Sequence, residues 1–207
     1  MNFLSYLISG ISLGSVYALI ALGYTMVYGI AKMLNFAHGD IIMVGSYVAF
    51  IAINSMGLPV PVSILLSVVV CTVLGMVIER VAYKPLRHAS KLAVLITAIG
   101  ASYFLQNVAL LIFGANTKSF TSIVGNGSVQ LAGGALSVTM VTIVTVIACV
   151  VIMIGLMAFM KYSKAGHAML AVSEDDGAAQ LMGINVNATI ALTFAIGSGL
   201  AAIAGVL

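Results

Sequence analysis

The residues able to do chemistry in this chain are few, and they fall in three short groups. The first is Asn35-Phe-Ala-His-Gly-Asp40, where an amide, an imidazole and a carboxylate stand between long apolar runs. His38 and Asp40 have no further ligand nearby, so no metal site is expected there, and no cofactor is expected anywhere in the chain. Two readings of the group stand. It is an interfacial loop with Asp40 near the start of the next helix, or it breaks the chain at membrane depth. A break at that depth is tolerated only where protein or water satisfies the backbone, and ionisable groups so placed usually serve function. The second group is Ser102, Gln106 and Asn107 inside another apolar run, with Ser102 and Gln106 on one helix face at i, i+4. They serve either as hydrogen-bonding contacts between helices or as the lining of a polar route. Asn35, His38, Asp40, Gln106 and Asn107 are therefore the candidates for lining a polar cavity or an interface.

The third group is Ser173-Glu-Asp-Asp-Gly-Ala-Ala-Gln-Leu-Met-Gly-Ile184. Ser173 followed by Asp176 fits a capping box, which puts Glu174, Asp175 and Asp176 in a first turn where the helix dipole favours negative charge. Ala178, Ala179, Leu181 and Met182 form a short face of small and apolar groups, and Gly183 is placed to end the helix in the left-handed conformation. The predicted helix has about nine residues and a length of roughly 13 Å. It is too short to be stable alone, so something must pack on it. That is either the bilayer and the chain's own helices or a cytoplasmic partner, and three acids disfavour an anionic leaflet.

No G-x-x-x-x-G-K-S/T sequence occurs, so hydrolysis of ATP by a P-loop is excluded, and there is no H-E-x-x-H. No serine or cysteine has a recognisable base beside it. Cys71 and Cys149 both lie in apolar runs and are expected to pack. The catalytic set is empty, and energy must come from another subunit or an ion gradient.

The elements that must position these groups follow from composition. Hydrophobic residues make up 62% of the 207, and charged residues 6%. Soluble domains carry roughly 25% charged residues, so lipid must solvate most of this surface. The length allows about six helical spans of ~20 residues. A net charge of +3 gives no reason to expect nucleic acid as a partner. The expected class is an all-α polytopic transmembrane bundle, a single domain over residues 1–207.

Apolar runs cover about 3–31, 41–53, 62–78, 92–113, 137–160 and 188–207. The pair Gly10 and Gly14 in the first run would let another helix approach closely. The turn at 54–61 holds Gly57, Pro59 and Pro61. Between the third and fourth runs, Arg80, Lys84, Arg87 and Lys91 crowd a short loop, which the positive-inside rule puts in the cytoplasm. Residues 114–136 suit an external loop. Lys161 and Lys164 then return to the basic side, and 161–187 is the longest cytoplasmic stretch, with three of the five acidic residues. Two full spans before Asn54 would put the N-terminus outside, whereas an island at 32–40 interrupting one span would put it inside. No basic region precedes the first run, so a cleavable signal peptide is not expected. The run ending at Leu207 without a polar tail reads as a truncated product.

Several stretches are familiar. Gly14–Gly29 (GSVYALIALGYTMVYG) followed by Leu34–Asp40 (LNFAHGD) resembles the LivH-type permeases of branched-chain amino acid ABC transporters. So do Ile78–Arg87 (IERVAYKPLR), Ile96–Gly100 with Phe104–Asn107, and Met182–Asn185 leading into Ile190–Phe194. The resemblance implies import of leucine, isoleucine, valine and related amino acids through the bacterial inner membrane. It also implies a second permease subunit, two cytoplasmic ATP-binding subunits and a periplasmic substrate-binding protein. It makes 161–187 the ATPase-coupling loop, with Ser173, Glu174, Asp175, Asp176, Ala178, Ala179 and Gly183 in the docking helix. The family often has basic residues shortly before this helix, where this chain has His167 and Leu170, so a weaker or differently paired contact is expected. Family members also continue for several helices beyond the equivalent of Leu207. The rival readings are an ion-coupled secondary transporter and an inactive fragment of a disrupted permease gene.

Overall fold

The computed structural model describes residues 2–87, 89–116, 118, 127–131 and 136–207. Six apolar helices carry most of them: α1 (Asn2–Ala31), α2 (His38–Asn54), α3 (Val60–Ile78), α4 (Lys91–Phe113), α5 (Met140–Tyr162) and, last in the chain, α8 (Val186–Val206). Five are long and apolar enough to cross a bilayer, and α2 is shorter. Two short helices, α6 (Lys164–Glu174) and α7 (Asp176–Leu181), fill the connection between α5 and α8. The class is all-α, with one small addition that hydropathy did not signal. Strands β1 (Ser128–Leu131) and β2 (Leu136–Thr139) pair antiparallel, Ser128 opposite Thr139, just before α5. Residues 117, 119–126 and 132–135 of the expected external loop lie outside the described residues.

Local chemistry sets the boundaries. Pro59 caps α3 and Pro61 sits in its first turn, where a missing amide proton does no harm. At the far end α3 widens into a π-turn over Glu79–Tyr83 and tightens into a 3-10 turn over Lys84–Leu86. Pro85 lies in that turn, and its ring clashes with the preceding turn, so a regular helix cannot run through it. Ser90 caps α4 and Asn185 caps α8 through side-chain oxygens that accept from Ala93 and Ala188 amides.

The centre of the bundle is α8. In its apolar window 72% of residues are buried, against 11% in α1 and in α5. Helices α1, α2 and α3 surround it. Lipid gives helices no hydrophobic reason to associate, so close packing over small residues must do it. The seams bear this out. A Cβ at Gly75 on α3 would collide with the Ser198 side chain of α8. One at Gly197 would lie 3.1 Å from the carbonyl oxygen of Gly23 on α1, and one at Gly205 would lie 2.5 Å from that of Ile42 on α2. Ser67 of α3 donates to the Gly45 carbonyl of α2 at 2.8 Å, and Ser46 of α2 donates to the Gly205 carbonyl of α8. Gly10 and Gly14 have no neighbour within 4 Å of such a Cβ, so this pair makes no close approach. Cys71 and Cys149 are both buried and unpaired with each other, as packing groups should be.

Candidate functional site

Lys32 ends α1 with φ +54, and its Nζ reaches the Glu174 carbonyl at the end of α6, 3.4 Å away. Arg87 bonds both Asn187, at the start of α8, and Glu79. One end of the bundle therefore gathers Lys32, the basic 84–91 stretch and 161–187. The other end of α1 packs near β2. So α1 is one uninterrupted crossing, and its N-terminus lies on the face opposite the basic one.

The chain does not turn back at the surface after Lys32. The His38 ring lies 3.0 Å from where a Cβ on Gly23 would stand, and the same point is 3.0 Å from the Gly197 carbonyl oxygen. Gly23 is nine residues before Lys32 on α1, about 13 Å deeper along the axis. Residues 32–37 consequently fold back into the bundle, and α2 begins near mid-depth. Asn35, His38 and Asp40 are buried. The interfacial alternative fails for this segment, although Asp40 does sit in the first turn of α2. The irregular backbone is satisfied by protein. Tyr83 reaches from the π-turn so that its hydroxyl lies 3.1 Å from Asn35 Oδ1 and 3.3 Å from the Leu34 carbonyl, and the His38 amide donates to the Asn35 carbonyl. The Tyr83 ring in turn packs on Phe194 of α8.

His38 and Asp40, two apart on a helix, face different neighbours. The imidazole lies in the seam of α1 and α8, edge-on to Tyr24. Its Nε2 has no partner. The carboxylate faces α4, where Oδ1 accepts from Gln106 Nε2 at 3.0 Å and Oδ2 has no partner among the described residues. The same Gln106 amide nitrogen donates to Ser102 Oγ at 3.1 Å, so the expected shared face is real. Asn107 is apart from this cluster and, among the described residues, bonds the Tyr103 carbonyl on its own helix. Of the five pathway candidates, Asp40 and Gln106 meet, Asn35 supports the fold-back, His38 serves a separate seam, and Asn107 stands alone.

The acidic segment is built differently from the nine-residue helix expected. Ser173 is not a cap. Its Oγ donates to the Leu170 carbonyl inside α6. Gly166, Met169 and Val172 are buried at a three-residue spacing, which keeps α6 helical through Ser173 to Glu174. The break falls at Asp175, extended at φ −150 and ψ 113, whose Oδ1 accepts from the Ala178 amide at 2.9 Å. Only Asp176 of the three acids lies in the first turn of α7. The other end matches expectation. Gly183 has φ +83, its amide bonds the Gln180 carbonyl, and the Ile184 amide bonds that of Ala179. This is the paired closure of a Schellman ending.

On α7, Ala179 is buried toward the bundle and Ala178 is exposed. Leu181 and Met182 protrude at 90% and 84% exposure. These two apolar tips were missing from the candidate set, although their type, unusual beside three acids, was the available signal. Beside them a cleft of about 1080 Å³ opens among Lys32, Arg87, Lys91, Asp176, Gln180 and Asn187.

A bundle of apolar helices around a small-residue core, with a polar fold-back at mid-depth, defines a multi-pass membrane protein. The model of the family described as branched-chain amino acid transport system, permease component, matches residues 6–207. The chain is 45% identical to the high-affinity branched-chain amino acid transport system permease protein BraD of Pseudomonas aeruginosa. It is 43% identical to the LivH protein of Escherichia coli and 42% to that of Salmonella typhimurium, which carry the same description. Each match covers 100% of this chain and 70% of the relative. No solved structure matches. The chain belongs to the branched-chain amino acid transport permease family.

Proposed function

We propose that the chain is the membrane-spanning subunit of an ATP-driven ABC importer that moves branched-chain and other hydrophobic amino acids across the bacterial inner membrane by alternating access. A second permease subunit, two cytoplasmic ATP-binding subunits and a periplasmic binding protein complete the assembly. Residues 161–187 are its coupling loop. The observation that carries this reading is α7, an acid-capped helix on the basic face with Leu181 and Met182 bare. A six-residue helix with two large apolar side chains in water wants a groove to fill. An ATPase subunit closing on nucleotide would push on α7. Through α6 and α8 that push would rock the spans about the glycine seams. Asp40, Gln106 and Ser102, at mid-depth, belong to the route that opens alternately to each side, since the cargo needs an apolar cavity with a few polar groups.

The test is Gly183→Val in the assembled importer. A β-branched residue at φ +83 costs about 1–2 kcal/mol and opens the closure of α7. Uptake is expected to fall well below that of the unsubstituted importer, while ATP hydrolysis loses its dependence on loaded binding protein. Wild-type uptake and stimulation would remove the coupling role. Gradient-driven uptake by vesicles lacking ATPase subunits would instead favour an ion-coupled carrier.

A further inference from the structure

The carboxylate of Asp40 has no cation beside it among the described residues. It is only 7% exposed, Gln106 occupies Oδ1, and Oδ2 has no partner among the described residues. Among the described residues the one ion pair is Arg87 with Glu79 at the basic end. The chain's lysines and arginines fall in connections or at helix ends, and among the described residues no basic side chain bonds Asp40. Charges at membrane depth are costly and are retained where something arrives to pair with them.

The surroundings fit one visitor. An ionised carboxylate only accepts, so Gln106 must turn its NH2 toward Asp40. With that NH2 shared between Asp40 and Ser102, the Gln106 carbonyl oxygen is left as a second acceptor. Ser102 Oγ, which takes a hydrogen bond from Gln106, keeps a hydroxyl free to turn. Gln106 is exposed on α4, so the cluster opens sideways from the bundle rather than inward. Tyr103 and Leu110, three residues before and four after Gln106 on the same face of α4, are exposed beside it. A primary ammonium carries three donors and one positive charge, and suits this set.

We infer that Asp40, held by Gln106 and Ser102, takes the α-ammonium group of the amino-acid cargo at mid-membrane. The assignment rests on the permease reading above. In that reading the cargo's side chain meets apolar surface while its ammonium, and not its carboxylate, is met by Asp40.

The experiment uses the complete importer in proteoliposomes. Tyr103→Cys places a thiol on the exposed face of α4, one turn from Gln106 and outside the cluster, while Cys71 and Cys149 are buried and give little background. Turnover should let a small thiol reagent label position 103, and leucine delivered by the binding protein should slow that labelling at least fivefold. Asp40→Asn should lower leucine uptake at least tenfold, and Asp40→Glu, which keeps the charge, should recover part of it. Labelling and protection together with wild-type uptake by Asp40→Asn would leave the pathway standing and remove the ammonium contact. No labelling in turnover would remove both. Loss of uptake without leucine protection would give Asp40 to a proton, a metal cation or a partner subunit's charge, and would overturn the inference. If Asp40→Asn does not assemble, leucine protection in the Asp40→Glu background decides, and its absence overturns the inference.

Discussion

A methyl group at Gly75 has no room. Its position is already taken by the side chain of Ser198, with the Phe194 carbonyl oxygen 3.1 Å away. Overpacking of this kind costs about 1–3 kcal/mol. Gly75→Val should lower the thermal midpoint of the detergent-solubilised protein by several degrees. Adding Ser198→Gly should return part of the loss, because the two residues share one gap. Equal midpoints for Gly75→Val and the unsubstituted chain would mean that α3 and α8 are further apart than described. At this scale the sequence could be read for type but not for partner. Gly10 and Gly14 had the spacing of a packing motif and have no neighbour among the described residues, whereas Gly75 and Gly205 had no motif and set the two tightest seams of α8. Small residues permit close approach, and only the neighbouring helix decides where it happens.

At the scale of elements, the acidic segment separates what spacing can fix from what it cannot. Gly183 was legible because a left-handed ending has almost one occupant. The start of the same helix was not, since Ser173 and Asp175 are both good caps and the choice between them belongs to α6. The buried side of α6, with Met169 and Val172, holds the helix together past Ser173. The two caps make opposite predictions. Asp175→Ala should destabilise α7 by about 1 kcal/mol, raising hydrogen exchange at the Ala178 amide roughly fivefold. Ser173→Ala should leave that amide unchanged. The reverse pattern would restore the nine-residue helix. The depth of α2 was hidden for a related reason. Hydropathy reports how long an apolar run is and says nothing of where in the bilayer it begins. The polar residues 35–40 looked the same at an interface as they do beneath it, and only the contacts of His38 with α1 and α8 set their level.

For the whole molecule, fixing α2 at mid-depth also fixes the count of crossings. Because α1 ends on the basic face and α2 leaves mid-depth for the opposite face, the turn at Ser55–Met56 must emerge with the N-terminus, away from Leu181. Had the polar island interrupted a single span, Met56 and the N-terminus would lie on opposite faces and the whole of α1 would stop halfway. The 30 residues of unbroken helix in α1, about 45 Å long, rule that out. Met56 is 61% exposed and Leu181 is 90% exposed, so a cysteine at either position is reachable. In right-side-out vesicles an impermeant thiol reagent should label Met56→Cys and spare Leu181→Cys, and inverted vesicles should reverse the pattern. Labelling of both from one side would break the link between the basic face and the cytoplasm. With it would fall the force path from α7 to α8, since a helix on the outer face cannot receive a push from an ATPase.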